Sequence, residues 1–304
     1  MMKTLLEMLQ YKRPSGGVTE RRFCKRFIEP VFGQPFDDFG NYVLTVGEEP
    51  TTSFTAHYDT VHAQEGMQKV VIENGKISAV DSNCLGADCT TGIYIILEMI
   101  KANIPGVYII FAAEEVGCKG SSYMRDQHPD FLDKLQAMIS FDRYGETSVI
   151  THQMGFRTAS DAFAHSLSDA LNMPQLVPDM RGSYTDSNEF ADIIPECTNL
   201  SVGYLDQHSS KETQDLTYLK FLMGQIMRAE WDMLVFPRTP EADTLWSNQF
   251  YTDDERDELD NMEQIVYENT SLVAQLLMDY GLKSSDLIED LGLEDSPYLN
   301  RYIG

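Results

Sequence analysis

The sequence contains no run of 18 apolar residues, which is about the length that a membrane-spanning helix requires. Its first residues, MMKTLLEMLQYKRPSG, interrupt the apolar positions with Glu7 and Gln10 and carry no small-residue cleavage pattern. We therefore expect neither a signal peptide nor a membrane span.

Cysteine is scarce and irregularly spaced. The 304 residues include five cysteines, namely Cys24, Cys84, Cys89, Cys118 and Cys197. Their spacing lacks the rhythm of a zinc finger, and an odd number does not suit a disulfide framework. The pattern indicates reduced thiols in a cytoplasmic protein, where most of these side chains serve as small buried apolar groups.

Basic residues are also few. Acidic residues outnumber lysine and arginine by 48 to 23, and the net charge is -25. So negative a chain argues against nucleic acid or an anionic membrane as a partner. From Arg238 onward the chain carries 16 acids and 4 bases, so its last part is a separate unit in composition.

The first 236 residues alternate short strand-like runs with amphipathic stretches. The strand candidates are 42–47, 53–58, 69–80 as a hairpin turning at Asn74-Gly75, 107–113, 137–141, 148–152 and 199–204. The helix candidates are 18–31, 89–102, 119–128, 158–171 and 213–235. This alternation predicts an α/β fold with a mixed, largely parallel central sheet flanked by helices.

A second, smaller unit is expected at the carboxyl end. The run VFPRTPEAD (235–243) has two prolines and polar residues typical of a linker, and helical periodicity follows it. We therefore predict one large domain at 1–236 and an acidic, mainly helical segment at 237–304. This segment is expected to pack on the large domain or to mediate self-association, which leaves a homo-oligomer open.

Acidic and histidine residues recur where the predicted strands end. His57 and Asp59 follow SFTA, Glu114 and Glu115 follow VYIIFAA, Asp142 follows AMISF, His208 follows NLSVGYLDQ, and Asp88 lies at the start of a helix. The carboxyl ends of the strands line the ligand crevice of an open α/β sheet, so these residues are expected to converge.

The converging side chains are typical metal ligands. Imidazole nitrogens and carboxylate oxygens suit zinc, with manganese or cobalt as alternatives, and a carboxylate can bridge two cations. Two consecutive glutamates after a strand as apolar as VYIIFAA are costly to place unless a cation meets them. Neighbouring side chains point in different directions, so one can bind metal while the other faces the attacking water.

The motifs H-x-D, G-A-D, E-E-x-G, a later Asp and a late His, taken in this order, resemble the co-catalytic di-zinc exopeptidase clan of aminopeptidases, carboxypeptidases and N-acyl deacylases. The resemblance covers about residues 1–236. It includes PSGGVTERRFCKRFIEPVF and DDFGNYVLTVG, which are similar to the clan's first helix and first hairpin. It implies a zinc-exopeptidase-like sandwich and an amide hydrolase that uses two zinc ions.

The resemblance also assigns roles to individual residues. His57, Asp88 and Asp142 are implied as ligands of one zinc, with Asp88 bridging to the second. Glu115 and His208 are implied as the other ligands of that second ion. The remaining implied roles are Glu114 as the general base and Asp59 as the carboxylate that orients His57.

The sequence departs from the clan's pattern at two places. The position after the bridging aspartate is often Asp or Asn in the clan and is Cys89 here. The run RGSYTDSNEF resembles the clan's loop only loosely, so substrate contacts by Arg181, Tyr184 and Asp186 are conjectures. His62, His128, His152 and His165 are expected to be surface or locally hydrogen-bonded residues.

Spacing favours the lidless aminopeptidase branch. The interval from Asp142 to His208 is 66 residues, too short for the lid domain of roughly a hundred residues that the clan's carboxypeptidases and deacylases usually insert, together with the remaining elements. An Asp at position 142 is also typical of the clan's aminopeptidases. The predicted substrate is a peptide or small amide. A carboxypeptidase, an N-acyl amino-acid deacylase and a non-catalytic metal-binding interaction protein remain as alternatives.

Overall fold

A mixed sheet forms the centre of the larger part of the chain. The computed structural model describes residues 2–240, Val266, Thr270–Asp279 and Lys283. Its strands are β1 (Tyr11–Lys12), β2 (Tyr42–Val46), β3 (Thr52–His57), β4 (Gly66–Met67), β5 (Lys69–Glu73), β6 (Lys76–Val80), β7 (Gly106–Phe111), β8 (Ala137–Arg143), β9 (Ser148–Ile150), β10 (His152–Gln153), β11 (Phe156–Arg157), β12 (Val177–Asp179), β13 (Glu196–Ser201), β14 (Tyr204–Leu205) and β15 (Thr213–Asp215).

The central sheet is largely parallel, as predicted. Within residues 2–240 it has seven strands in the spatial order β12-β9-β13-β8-β3-β7-β2. The pairs β12-β9, β13-β8, β8-β3 and β3-β7 are parallel, whereas β9-β13 and β7-β2 are antiparallel. The predicted fold class of a mixed, largely parallel sheet flanked by helices is therefore confirmed.

The middle strands are apolar because both faces of the sheet are covered. All six residues of β7 are buried, and so are the last five of β3. Parallel strands buried on both faces have near-continuous hydrophobic sequences rather than alternating ones. This burial explains the apolar run VYIIF. Strands β8, β3 and β7 are parallel neighbours, so their carboxyl ends lie at one edge of the sheet.

Helices cover the sheet. They are α1 (Met2–Met8), α2 (Val18–Phe23), α3 (Glu29–Phe32), α4 (Ala87–Lys101), α5 (Lys119–Gln127), α6 (Pro129–Leu132), α7 (Asp161–Ala170) and α8 (Leu216–Ile226). A π-helical turn at Cys24–Ile28 joins α2 to α3. Helix α4 packs on β3 and β8, and Gly92 permits the close approach, because a Cβ there would lie 2.5 Å from the carbonyl oxygen of Phe141.

Residues 2–240 also form a second sheet, which has four strands. Strands β14, β15, β6 and β5 pair antiparallel in that order. The hairpin between β5 and β6 turns at Asn74 and Gly75, whose φ angles are 51° and 81°. Two consecutive positive φ angles are typical of the tight turn that an Asn-Gly pair favours, so the predicted hairpin is present.

Two local expectations differ from the structure. The run resembling a first hairpin forms β2, but β2 pairs with β7 rather than with β3. The helix expected over 213–235 begins at Leu216, because Thr213–Asp215 pairs with β6. The carboxylate of Asp215 then caps α8 by accepting from the backbone N–H groups of Thr217 and Tyr218 at 2.7 and 2.9 Å.

The chain divides into two units, Met1–Thr244 and Leu245–Gly304. In the second unit the structure describes one helix, α9 (Thr270–Asp279), which lies within the segment expected to be helical. The rest of the acidic segment lies outside the described residues, and the predicted boundary after Phe236 stays a prediction. Among the helices that are described, none combines the length and hydropathy needed to cross a bilayer.

Candidate metal centre

The polar residues singled out in the sequence meet at the carboxyl ends of β3, β7 and β8. His57 is the last residue of β3, and it pairs in register with Phe111, the last residue of β7. Glu114 and Glu115 lie just beyond Phe111, and Asp142 is the sixth residue of β8. Three adjacent parallel strands thus deliver a histidine and three carboxylates to the same edge of the sheet.

One group of potential ligands contains His57, Glu114 and Asp142. The Nε2 atom of His57 lies 3.9 Å from Oε2 of Glu114 and 3.8 Å from Oδ1 of Asp142. The candidate ligand atoms of these three residues all lie within 4.8 Å of one another. The imidazole is buried and both carboxylates are mostly buried, so this group is a candidate site for a cation.

A second group contains Asp88, Glu115 and His208. Asp88 lies in the first turn of α4, and His208 follows β14. The Nε2 atom of His208 lies 2.9 Å from Oδ2 of Asp88 and 3.3 Å from Oε1 of Glu115. Unlike the other members, His208 has a half-exposed side chain. This group therefore lies at the solvent side of the site.

Asp88 connects the two groups. Its candidate ligand oxygen also lies within 4.8 Å of ligand atoms of His57 and Cys89. The other contact of its carboxylate is local, since Oδ1 accepts from the backbone N–H of Cys89 at 2.8 Å. Asp88 thus has ligand atoms near both His57, at the end of β3, and His208, in the loop after β14.

Asp59 supports the site through contacts with His57 and with the backbone of Glu114 and Glu115. Its side chain is fully buried, and Oδ1 lies 3.3 Å from Nδ1 of His57. The two oxygens also accept from the backbone N–H groups of Glu114 and Glu115, at 3.0 and 3.1 Å. A single carboxylate thus fixes the orientation of the His57 ring and the start of the loop that carries both glutamates.

The electrostatics of the site favour a bound cation. Burial raises the pKa of Glu114 well above its usual value, with opposition from His57 and reinforcement from Glu115 and Asp142. Burial and the charge of Asp88 raise the pKa of Glu115 to about 7. Burial lowers the pKa of His208, but hydrogen bonding to Asp88 and Glu115 outweighs it and raises that pKa to about 11. The site therefore places several carboxylates close together with few positive charges to offset their repulsion, and a bound cation would reduce that repulsion.

The donor set fits a divalent metal of the zinc type. Imidazole nitrogens and carboxylate oxygens are borderline ligands that zinc accepts readily. The buried Oε1 atom of Glu115 faces Nε2 of His208 at 3.3 Å and accepts from no other group among the described residues. A buried carboxylate oxygen with so little hydrogen bonding is costly, and a metal ion would satisfy it.

Glu212 is a supporting residue that the sequence did not indicate. It is buried, and its carboxylate accepts from the backbone N–H groups of Leu85, Gly86 and Ala87 at 2.8, 3.0 and 2.6 Å. These residues directly precede Asp88, and Gly86 has a left-handed conformation with φ 71°. Glu212 therefore holds the turn that delivers Asp88 to the site.

Asp142 is also held by residues outside the predicted set. Thr185 donates from its hydroxyl to Oδ2 of Asp142 at 2.9 Å. Asn199 binds the backbone of Asp142 twice, accepting from its N–H at 2.9 Å and donating to its carbonyl oxygen at 2.8 Å. Only Thr185 had a signal in the sequence, since it lies in the RGSYTDSNEF run.

The three conjectured substrate-contact residues occupy different positions. Arg181 is exposed and bonds to Asp179 through Nε at 2.9 Å. The hydroxyl of Tyr184 donates to Glu189. Asp186 is buried and accepts from the hydroxyl of Ser121 at 2.6 Å. Of the three, Asp186 is the one whose charge contributes to raising the pKa of Glu114, after burial and the charges of Glu115 and Asp142.

His62 does not join the cluster. It is buried, and its ring nitrogens lie 2.7 Å from Oγ1 of Thr60 and 3.0 Å from Oε1 of Gln68. This agrees with the expectation of local hydrogen bonding. All five cysteines are free and buried.

A mixed α/β sheet with imidazole and carboxylate groups gathered at its parallel strand ends is suited to binding metal ions. The chain belongs to Peptidase family M28, whose family model matches residues 41–192, half of the sequence. It is therefore a metallopeptidase. No curated protein sequence matches the chain significantly.

Solved structures of peptidases have a similar fold. The aminopeptidase PepT from Bacillus cereus has a TM-score of 0.60 at 14% identity, covering 75% of this chain and 96% of its own. A tripeptidase from Staphylococcus aureus has a TM-score of 0.61 at 15% identity, covering 75% and 96%. The TET1 peptidase of Pyrococcus horikoshii has a TM-score of 0.55 at 17% identity, covering 75% and 99%. At these identities the similarity concerns the fold.

Proposed function

We propose that this metallopeptidase is an aminopeptidase that uses two zinc ions to remove N-terminal residues from peptides. The observation that carries the proposal is that Asp88 shares one ligand group with His57 and Cys89 and another with Glu115 and His208, while His57 also shares a group with Glu114 and Asp142. Manganese or cobalt would fit the same ligands.

His57, Asp88 and Asp142 would hold one ion, and Asp88, Glu115 and His208 the other. When bound, the ions supply Lewis-acid chemistry that polarises the scissile carbonyl and makes water more acidic. Asp59 keeps the Nε2 atom of His57 directed at the site through its contact with Nδ1.

Glu114 serves as the general base. Its carboxylate lies in the same group as His57 and Asp142, and its surroundings raise its pKa, which suits a group that must both accept and release a proton. Glu114 takes the proton of the attacking water and delivers it to the departing amine. No second base is required within the described site.

Two observations favour the aminopeptidase over the other branches. Residues 142–208 are all described and form β9 to β14 with α7, so no inserted lid domain lies there. The similar folds include an aminopeptidase and a tripeptidase. An acidic site also suits the ammonium group of a free peptide N-terminus.

Amino-acyl anilides and short peptides, each with a free or an acetylated N-terminus, test the proposal. The zinc- or cobalt-loaded chain should release product from the free forms only, a chelator should abolish release, and added metal should restore it. Preference for the acetylated forms would indicate a deacylase, and release from the carboxyl end a carboxypeptidase. No turnover across the panel would indicate a non-catalytic metal-binding protein.

Assembly and location are further parts of the proposal. The TET1 peptidase of Pyrococcus horikoshii can assemble into a tetrahedron or a large octahedral shell, and we propose that this chain also forms a homo-oligomer, which light scattering would detect. Five free, buried cysteines support a cytoplasmic location.

A further inference from the structure

Arg13 is a fully buried arginine beside the metal centre that no step of the proposed reaction uses. Its exposed fraction is 0%. Burying a guanidinium is costly unless a specific interaction requires it. The contacts of Arg13 therefore indicate what keeps it there.

One set of contacts fixes the chain around His57. The Nε atom of Arg13 donates to the carbonyl oxygen of Tyr58 at 2.8 Å. The backbone of Arg13 bonds to Thr60 in both directions, accepting from its N–H at 2.8 Å and donating to its hydroxyl at 3.0 Å. Tyr58 separates His57 from Asp59, so these bonds hold the segment that carries both residues.

A second set of contacts fixes the chain after Asp88. The Nη2 atom of Arg13 lies 2.8 Å from Oγ1 of Thr90 and 2.9 Å from Sγ of Cys89. Both partners are in the first turn of α4. A single planar guanidinium thus connects the segment of His57 to the segment of Asp88, with its donors directed to both sides.

The charge of Arg13 is not neutralised by a contacting carboxylate. Its side-chain hydrogen bonds within residues 2–240 go to the carbonyls of Tyr58 and Met8, a hydroxyl and a thiol. The ring of Phe23 lies 3.9 Å from its guanidinium carbon. Arg143, which is also buried, lies 3.6 Å from Asp179 instead. Arg13 is therefore held by neutral acceptors on both segments rather than by an ion pair.

We infer that Arg13 is a positioning residue that sets the separation between His57 and Asp88, and with it the affinity for the metal ion that these two ligands share. The inference rests on the proposed two-ion site. The ion held with Glu115 and His208 has no ligand in the segment of His57, which reaches that ion only through the contact of Asp59 with the backbone of Glu115. Loss of Arg13 should therefore weaken the ion that His57 binds more than the other ion.

The test measures both metal affinities by chelator competition, with the Co²⁺ absorption spectrum as a second readout. In Arg13→Met we expect the ion held by His57 and Asp88 to bind about 10- to 100-fold more weakly, the scale at which residues that support metal ligands act. The affinity for the ion held with Glu115 and His208 should change by less than about threefold. Arg13→Lys keeps the charge but not the planar fork, and should retain most of the defect.

Thr90→Val changes the shape little and removes the hydroxyl that accepts from Arg13 and donates to the carbonyl oxygen of Gly86. It serves if Arg13→Met does not fold, and it should weaken the ion held by His57 and Asp88 by a smaller factor. Leu167→Ala, on the buried face of α7, is the control that lowers stability without touching the centre. It should leave both affinities unchanged.

Three outcomes would overturn the inference: unchanged binding of both ions in Arg13→Met and in Thr90→Val, equal weakening of both ions, or full recovery in Arg13→Lys. The unsubstituted chain is titrated first. If it binds fewer than two ions, the two-ion site itself is wrong, whereas two ions without peptide turnover would refute only the proposed activity.

Discussion

The Nε2 atom of His208 lies 2.9 Å from Oδ2 of Asp88, although 120 residues separate them in the chain. The same loop that carries His208 also carries Glu212, whose carboxylate binds the backbone immediately before Asp88. The segment between β14 and β15 therefore contacts Asp88, the proposed bridging ligand, in two ways. His208 contacts its side chain, and Glu212 supports the backbone just before it.

This arrangement predicts that Glu212→Ala impairs both stability and metal binding. The substitution leaves three buried backbone N–H groups without their acceptor, and each unsatisfied group of this kind costs about 1 to 3 kcal/mol. We expect the free energy of unfolding of the metal-free protein to fall by at least about 2 kcal/mol, as measured by urea denaturation. Zinc affinity should fall in parallel because Asp88 loses its support.

Glu212→Gln is the matched control. The amide keeps one acceptor oxygen of nearly the same shape, so the loss should be smaller than in Glu212→Ala. Equal stability of Glu212→Ala and the unsubstituted chain would show that these hydrogen bonds do not hold the turn.

Glu114 and Glu115 are adjacent, but the proposed roles predict opposite phenotypes for them. Glu114→Gln removes the base, so kcat should fall by about 10²- to 10⁴-fold while the metal content, measured by atomic emission, stays at two ions. Glu115→Gln removes a ligand and should lose an ion. Glu114 also lies in one ligand group with His57 and Asp142, so loss of an ion from Glu114→Gln would reassign it from base to ligand.

The strand ends that carry the site were predictable because the residues that define each strand directly precede the site residue in the sequence. His57, Glu114 and Asp142 each follow an apolar run, and runs buried on both faces of a sheet are easily recognised. Parallel strands then bring their carboxyl ends together, so the convergence follows from the predicted topology.

The supporting residues were not predictable for the opposite reason. Glu212 and Arg13 act on backbone and neutral groups far along the chain, and such contacts leave no spacing pattern. The start of α8 was misplaced because pairing of Thr213–Asp215 with β6 overrides the helical periodicity that begins there. The supporting roles of Glu212 and Arg13 and the start of α8 all depend on contacts with residues distant in the chain. A single sequence does not show those contacts.

Metal binding should release protons. In the metal-free protein, Asp88 and Glu115 hold the pKa of His208 at about 11 against the opposing effect of burial, so its imidazole is protonated at pH 7. A metal needs the lone pair of that nitrogen, and the proton must leave. Calorimetric titration with zinc at pH 7 in two buffers of different ionisation enthalpy should therefore give different heats.

The control for proton release is His208→Ala, which removes the titrating ring. It should release at least one proton fewer than the unsubstituted chain when its remaining ion binds. Heats that do not depend on the buffer would contradict a protonated His208 in the metal-free state.

His62 predicts a pH dependence of stability that is separate from the metal centre. Burial lowers the pKa of His62 from 6.5 to about 4, with a partial opposing effect from the hydrogen bond to Gln68 and a further lowering by the charge of Arg13. The unfolded chain therefore binds this proton more readily than the folded chain does. The free energy of unfolding should fall as the pH decreases from 6.5 to 4, by up to about 3 kcal/mol from this residue.

The measurement is urea denaturation of the metal-free protein at several pH values between 7 and 4, compared with His62→Gln. Because other groups titrate in this range, the difference between the two proteins isolates His62. His62→Gln is expected to be less stable at pH 7, where it loses the hydrogen bonds to Thr60 and Gln68, and its deficit should shrink toward pH 4. A deficit of His62→Gln that does not change with pH would mean that the His62 ring is protonated in the folded chain as easily as in the unfolded one.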